Sequence, residues 1–329
     1  MNTIRWGIIG CGDVTEVKSG PGFQKAEHSE LIAVMRRQGA LAEDYAKRHK
    51  VKKWFDDADA LIHDPEVDIV YIATPPAYHM EYTLRCAKAG KPVYVEKPMA
   101  RNYEECEAMI EACKQAKVPL FVAYYRRALP RFNKIKELIE QGKIGEVRFA
   151  TITLYQKPRE DEYSSETRPW RVIPELAGAG KFMDLASHTL DIFDFILGPV
   201  SEVQGIASNQ AELYTAEDIV TSNLMFGSKV HGVGTWCFSA FDDYDMNEIV
   251  GSKGKLVFST FGKEPIELIT KDERQSFAIE NPVHIQQPLI QTIVDELNGQ
   301  GSCPSVGTSG ARTNKVMDDI LKKYRERSL

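Results

Sequence analysis

The sequence predicts a doubly wound α/β domain followed by an α+β domain with an open, mostly antiparallel sheet. Three observations predict it. Short, nearly continuous apolar runs alternate with helical patterns over the first third of the chain. Two glycines, Gly10 and Gly12, fall directly after the first of those runs. Past Tyr124 the alternation gives way to a series of strand patterns. Repeated strand–helix units imply an open α/β sheet, and continuous apolar strands imply a parallel one covered on both faces.

In chain order, strands are predicted over residues 4–9, 31–35, 68–74, 92–96 and 119–123. Met80, Leu84 and Ala87 repeat at helical spacing before Gly90, a stop signal. Asn102 and Glu105 fit a capping box, and Cys106, Met109, Ile110 and Cys113 follow on one stripe. Phe132, Ile135, Leu138 and Ile139 form another helical stripe, closed by Gly142. Strands are then predicted over 147–155, 219–226, 229–238, 245–250 and 254–259, with turns at Phe226-Gly227-Ser228-Lys229 and at 251–254. A helix is expected over 179–196 and two more in the last 45 residues. The polar, proline-punctuated segment 158–174 reads as a loop at the domain junction. The first domain is expected to span 1–123 and the second 124–329, with a C-terminal helix free to pack back on the first.

Composition narrows the function classes. The chain has 329 residues, enough for two cores, with 43% apolar and 27% charged residues, as in ordinary globular proteins. The net charge of −6 disfavours a nucleic-acid surface. No apolar run approaches the roughly 18 residues of a membrane span. No secretory leader precedes Ile4, so a cytoplasmic location is expected. Cys11, Cys86, Cys106, Cys113, Cys237 and Cys303 form no zinc or CxxC spacing, and Cys106 and Cys113, on the buried stripe of a helix, read as small core residues in a reducing compartment.

A strand running into Gly10-Cys11-Gly12 is the context of a dinucleotide turn. Gly10 allows the tight bend, and Gly12 lets the backbone approach a pyrophosphate. The following N–H groups, at Asp13 and Val14, are positioned to donate to it. The third fingerprint position is Thr15 rather than glycine or alanine, which leaves an ordinary glycine-containing turn as the competing reading. The second strand ends in Met35-Arg36-Arg37, without the carboxylate that accepts the ribose hydroxyls of NAD. Two guanidinium groups suit a 2′-phosphate, so NADP(H) is expected to be preferred, with NAD(H) possible. Arg36 is the first choice as reader and Arg37 the second; the competing reading is a solvated arginine pair.

Four motifs occur in order: Gly10-x-Gly12, Thr74-Pro75-Pro76-x-x-His79, Glu96-Lys97-Pro98, and Gly180-x-x-x-Asp184-x-x-x-His188-x-x-Asp191. With them the chain resembles, over nearly its whole length, the glucose-fructose oxidoreductase, inositol dehydrogenase and rhizopine-catabolism family. The resemblance implies a Rossmann domain, a nicotinamide cofactor and a C-terminal sheet whose exposed face makes a homodimer or homotetramer. It implies a catalytic Lys97, followed by a cis bond to Pro98. It implies His188 as proton acceptor, and Asp184 beside it in the substrate pocket. It also implies that the backbone of Thr74 and Pro75 runs along the nicotinamide side of the cofactor.

The residue chemistry agrees with those roles. A lysine at the carboxyl edge of a parallel sheet can stabilise alkoxide character on a reacting oxygen. Asp184, His188 and Asp191 share one face of a regular helix, and an imidazole suits proton exchange near neutral pH. Asp191 is read as structural. An Asp–His pair offers too few ligands for a metal, and hydride transfer needs none. Glu96 is read as a brace near the cofactor ribose, and His79 either as a cofactor neighbour or as a helix cap. Tyr125 and Arg126 are read as substrate contacts or junction packing. Arg168, Trp170 and Arg171 are read as a substrate cover or a subunit contact.

The leading expectation is an oxidoreductase moving hydride between nicotinamide and a secondary alcohol or carbonyl of a sugar, cyclitol or related polyol. One alternative is a sugar eliminase or glycosidase that oxidises its substrate transiently; another is a non-catalytic dinucleotide sensor.

Overall fold

A computed structural model describes residues 1–328. The chain divides into two compact units, Met1–Leu129 with Pro282–Ala311, and Pro130–Asn281 with the residues from Arg312 on.

The first unit is built on a six-stranded parallel sheet. Its strands are β1 (Ile4–Ile9), β2 (Ser29–Met35), β3 (Lys53–Phe55), β4 (Ile69–Ile72), β5 (Val93–Val95) and β6 (Leu120–Val122), in spatial order β3-β2-β1-β4-β5-β6. The order reverses between β1 and β4, which opens a crevice at the carboxyl ends of those strands. The five strands expected from the sequence are all present. The additional one, β3, is three residues long and only partly buried, so it carries no apolar run. The sheet encloses stacked aromatic side chains. Trp6 lies 4.5 Å from Phe23, and Tyr71 stacks on Tyr94 at 4.9 Å. Each such ring removes roughly 150–250 Å² from water. At roughly 25 cal/mol per Å² that is about 4–6 kcal/mol of gross transfer.

Residues 282–311 follow the second domain in sequence yet pack in this unit. Gln286 hydrogen-bonds Glu96 and Tyr94, the N–H of Val122 donates to the Ser305 carbonyl, and Val306 bridges Phe121. These partners cover polar groups at the β5–β6 side that burial would otherwise leave unpaired.

The second unit holds an eight-stranded sheet. Its strands are β7 (Val147–Tyr155), β8 (Val200–Ser208), β9 (Ile219–Phe226), β10 (His231–Cys237), β11 (Tyr244–Gly251), β12 (Gly254–Phe258), β13 (Ile266–Thr270) and β14 (Arg274–Phe277). The spatial order is β14-β13-β12-β11-β7-β10-β9-β8, antiparallel except for β7 with β10. Three strands were not expected. β8 and β14 are the two edge strands and contain no buried residue, and the short β13 buries only Ile266 and Leu268, so none carries a continuous buried run.

One face of this sheet is covered by helices, including Ser187–Leu197 and the later part of Gly307–Ser328. The close approach at Gly205 shows the contact: a Cβ there would lie 2.6 Å from Ile320. The other face presents Phe149, Ile206, Val233 and Tyr244 as exposed apolar side chains. Among the described residues no helix is long and apolar enough to cross a membrane.

Candidate active site

In the first unit the cofactor residues expected from sequence gather at the carboxyl edge of the parallel sheet. Gly10 adopts φ +90°, and a Cβ there would meet Thr74 Cγ2 at 2.9 Å. Gly12 has open space instead, its closest neighbour being the Gly10 carbonyl at 3.9 Å. The N–H of Gly10 donates to the Met35 carbonyl at 2.9 Å and pins the turn to β2.

Thr15 explains its departure from the glycine pattern. Its buried hydroxyl accepts from the Gly12 N–H at 3.0 Å and donates to the Gly12 carbonyl at 2.7 Å. The side chain thus closes the turn that a glycine would only permit. The helix that follows, Asp13–Val17, has five residues. Its macrodipole is correspondingly small, so the individual N–H groups of Asp13 and Val14 are the usable donors.

Arg36 and Arg37 are exposed at the end of β2. Arg36 Nη1 is 3.5 Å from the Cys11 carbonyl, beside the glycine turn, while the Arg37 guanidinium lies 5.4 Å from the Tyr78 ring.

β4 runs into Thr74-Pro75. Thr74 Oγ1 is buried with no protein partner, a hydrogen-bonding atom held at the switch point. Together with the open approach at Gly12, it fits a dinucleotide laid across the ends of β1 and β4. His79 is fully buried, with Nε2 2.7 Å from the Thr74 carbonyl and Nδ1 3.2 Å from the carbonyls of both Pro98 and Met99.

Glu96 is also buried, as the hub of a network within the protein. The Tyr71 hydroxyl donates to Oε1 at 2.5 Å, Gln286 Nε2 donates to the same oxygen at 2.6 Å, and the Lys97 N–H donates to Oε2 at 3.0 Å. Burial, and then the Glu96 charge, push the Tyr71 pKa well above its ordinary value, so Tyr71 stays a donor. Charge-assisted bonds of this kind are short and strong. They fix the backbone that carries Lys97, which is partly exposed, and the Lys97–Pro98 bond is cis. Tyr71, Tyr94 and Gln286 carry no motif, and their aromatic and amide types gave no signal in the sequence. Tyr125 and Arg126 follow β6 in a short turn, both buried, with the Arg126 guanidinium 5.0 Å from the Tyr125 ring.

In the second unit Asp184 and His188 are brought onto one helical segment. That segment starts as a π-helical turn, Phe182–Ala186, and continues as an α-helix, Ser187–Leu197. In the wider turn each residue advances through a smaller angle, so Asp184 departs from the regular spacing expected of it. π-turns of this kind recur at functional sites. Arg171 Nε donates to Asp184 Oδ2 at 3.0 Å and supplies its counter-charge. The His188 ring, 5% exposed with its residue, meets Phe261 edge-on at 5.5 Å. Asp191 is buried and accepts from the Thr313 hydroxyl at 3.4 Å. The Arg168 guanidinium donates to the Leu213 carbonyl at 2.7 Å, and Trp170 lies under the Arg171 guanidinium at 4.6 Å.

Two buried acids brace the start of this segment. Both oxygens of Glu217 accept the Gly180 N–H, at 2.9 and 3.0 Å, and Glu162 pairs with Lys181. Burial pushes the Glu217 carboxyl up to about 7. The doublet Glu217-Asp218 just before β9 was the only trace of this brace in the sequence.

Comparison with known proteins gives the family. The family model "Oxidoreductase family, NAD-binding Rossmann fold" matches residues 4–124, and the "GFO/IDH/MocA C-terminal domain" matches 132–257. The chain is 39% identical to Oxidoreductase P35 of Formosa agariphila, over 96% of this chain and 97% of that protein. It is 31% identical to myo-inositol 2-dehydrogenase of Thermotoga maritima, over 82% of this chain and 79% of that one. A levoglucosan dehydrogenase solved with NADH and levoglucosan superposes with a TM-score of 0.86 at 23% identity, covering 98% of this chain and 97% of the other. The chain therefore belongs to the Gfo/Idh/MocA family and is an NAD(P)-dependent oxidoreductase acting on CH–OH groups of the sugar and polyol class.

Proposed function

We propose that this enzyme prefers NADP(H) and exchanges hydride with a secondary alcohol or carbonyl of a sugar, cyclitol or related polyol. The observation that carries the cofactor preference is the end of β2: two exposed guanidinium groups, one beside the Gly10–Gly12 turn, where an NAD site would hold a carboxylate. A solved relative bound to NADH lies at 23% identity, which leaves the preference of this chain to its own residues.

The nicotinamide, when bound, supplies the hydride acceptor or donor at C4. The chain's residues handle the oxygen. In the oxidative direction, Lys97 Nζ donates a hydrogen bond to the reacting hydroxyl oxygen and stabilises its developing negative charge. His188 accepts the hydroxyl proton and returns it in reduction. Asp184, paired with Arg171, accepts from a neighbouring substrate hydroxyl. The main-chain N–H groups of Asp13 and Val14 hold the pyrophosphate, with Gly10, Gly12, Thr74 and Pro75 forming the surface against which the cofactor lies. Tyr125, Arg126, Arg168 and Trp170 are proposed to border the substrate; Arg168 does so through its fixed link to Leu213. The apolar sheet face with Phe149, Ile206 and Val233 supports assembly as a homodimer or homotetramer. The six free cysteines favour a cytoplasmic location.

Parallel fluorescence titrations with NADPH and NADH test the cofactor preference, and net reduction or oxidation across a polyol and carbonyl panel tests the reaction. At least tenfold tighter NADPH binding, about 1.4 kcal/mol, with net turnover is expected. Equal or tighter NADH binding removes the preference. Product formation without net cofactor turnover replaces dehydrogenation with transient oxidation.

A further inference from the structure

His79 stands out among the buried titratable groups because no step above uses it. It is fully buried, and its ring touches three backbone carbonyls from two separate chain segments. One is Thr74, directly after β4; the others are Pro98 and Met99, directly after β5 and the Glu96-Lys97 pair. The first contact, at 2.7 Å, is single and short, while the second, at 3.2 Å, is shared between two carbonyls. Carbonyl oxygens accept and do not donate, so hydrogen bonds from both ring nitrogens need the imidazolium; the neutral ring, which burial favours, donates through one N–H to one segment and packs against the other. A side chain that merely filled the core would need no N–H here.

The two segments it joins carry different functions. Thr74 lies at the switch point beside Gly10, with its Oγ1 buried and without a protein partner. Lys97 is the residue before Pro98. In a doubly wound sheet the adenosine half of a dinucleotide lies on the β2 side of the switch point and the nicotinamide half on the β4 side. The ring of His79 therefore bridges the surface under the nicotinamide half and the loop that presents the lysine.

We propose that His79 is a positioning residue. It ties the backbone ends of β4 and β5 together and so sets how the nicotinamide half of the cofactor is held relative to Lys97. It touches neither cofactor nor substrate. The inference rests on the reading that the dinucleotide binds along this sheet edge.

The test uses the full-length protein and two probes. The first is NADPH or NADH, whichever the wild-type protein binds more tightly. The second is ADP, which carries the adenosine and pyrophosphate but no nicotinamide riboside, measured by displacement of the first. The variants are His79→Leu, which keeps bulk but loses the N–H, and His79→Gln, whose amide can still donate to the Thr74 carbonyl. His79→Leu is expected to lose at least tenfold in dinucleotide affinity with ADP affinity within twofold, and His79→Gln to recover part of that loss. Such a split separates positioning from general damage, because unfolding of the domain would weaken both probes together. Unchanged dinucleotide affinity in His79→Leu, or a parallel loss of both probes in both variants, would overturn the proposal. A wild-type protein that binds ADP but gains nothing from the nicotinamide half would overturn the underlying cofactor reading as well.

Discussion

Both carboxylate oxygens of Glu217 accept the backbone N–H of Gly180, at 2.9 and 3.0 Å, so a buried acid holds the start of the segment that carries Asp184 and His188. Glu217 is fully buried, and desolvation is the main reason its carboxyl is pushed up to about 7 from 4.5. The folded protein thus holds this proton more tightly than the unfolded chain does. The resulting stability is present in full below pH 4.5 and is lost as pH rises through about 7. Glu217→Gln keeps an acceptor for Gly180 and removes the titration. Its melting temperature, followed from pH 4.5 to 8, should fall less steeply than that of the wild type. At about 1.4 kcal/mol per pKa unit, the stability lost over this pH range should differ between the two proteins by up to about 3 kcal/mol. Parallel curves for the two proteins would remove Glu217 as the titrating brace.

The same contact limits what Gly180 can become. A Cβ at this position would lie 2.8 Å from the Glu217 carbonyl oxygen and 2.9 Å from Ala216 Cβ. Backbone cannot retreat as a flexible side chain would, so Gly180→Ala should cost about 1–3 kcal/mol. Denaturant unfolding measures it. A variant as stable as the wild type would show that the 216–217 backbone moves freely.

Lys97 and His188 should separate in kinetics. Lys97→Ala should lower kcat by roughly a hundredfold or more, the scale of a lost oxyanion donor. Cofactor affinity should stay within a few fold, because Glu96 holds the backbone N–H at this position whatever the side chain. His188→Gln should lower kcat by roughly 10²–10⁴ and remove the acidic limb of the pH profile for alcohol oxidation. That limb reflects the need for a neutral imidazole to accept the proton. A profile that keeps its limb in His188→Gln would assign the proton to another group.

Arg36 offers the cleanest specificity test. Its guanidinium sits at 3.5 Å from the Cys11 carbonyl, beside the Gly10–Gly12 turn proposed to hold the pyrophosphate. Arg36→Glu should weaken NADPH at least tenfold, by repulsion of the 2′-phosphate, while leaving NADH affinity equal or better. If NADPH affinity holds in Arg36→Glu and falls only in Arg37→Glu, the phosphate reader is Arg37, despite its place over Tyr78.

Much of the first unit was legible because a doubly covered parallel strand must be apolar over its buried length; β4, β5 and β6 are apolar throughout, and β1 and β2 depart only at the partly buried Arg5 and Ser29-Glu30. The strands that escaped notice, such as β8 and β14, are exposed or at an edge, where no apolar run is required. The helix over 181–197 was expected close to its observed limits, but not its opening π-turn, since i→i+5 bonding leaves no residue-type signature.

The sequence by itself singled out the residues proposed to carry chemistry. Gly10, Gly12, Arg36, Lys97, Asp184 and His188 stand in short local motifs, and their types suit the turn, charge or proton proposed for them. Tertiary structure alone decided what holds those residues in place. Gln286 reaches Glu96 from 190 positions away, Glu217 caps Gly180, Arg171 pairs with Asp184, and His79 faces inward to three carbonyls. Such partners are chosen by packing. A buried polar group costs several kcal/mol unless something nearby pairs with it, and only the folded chain settles what is nearby.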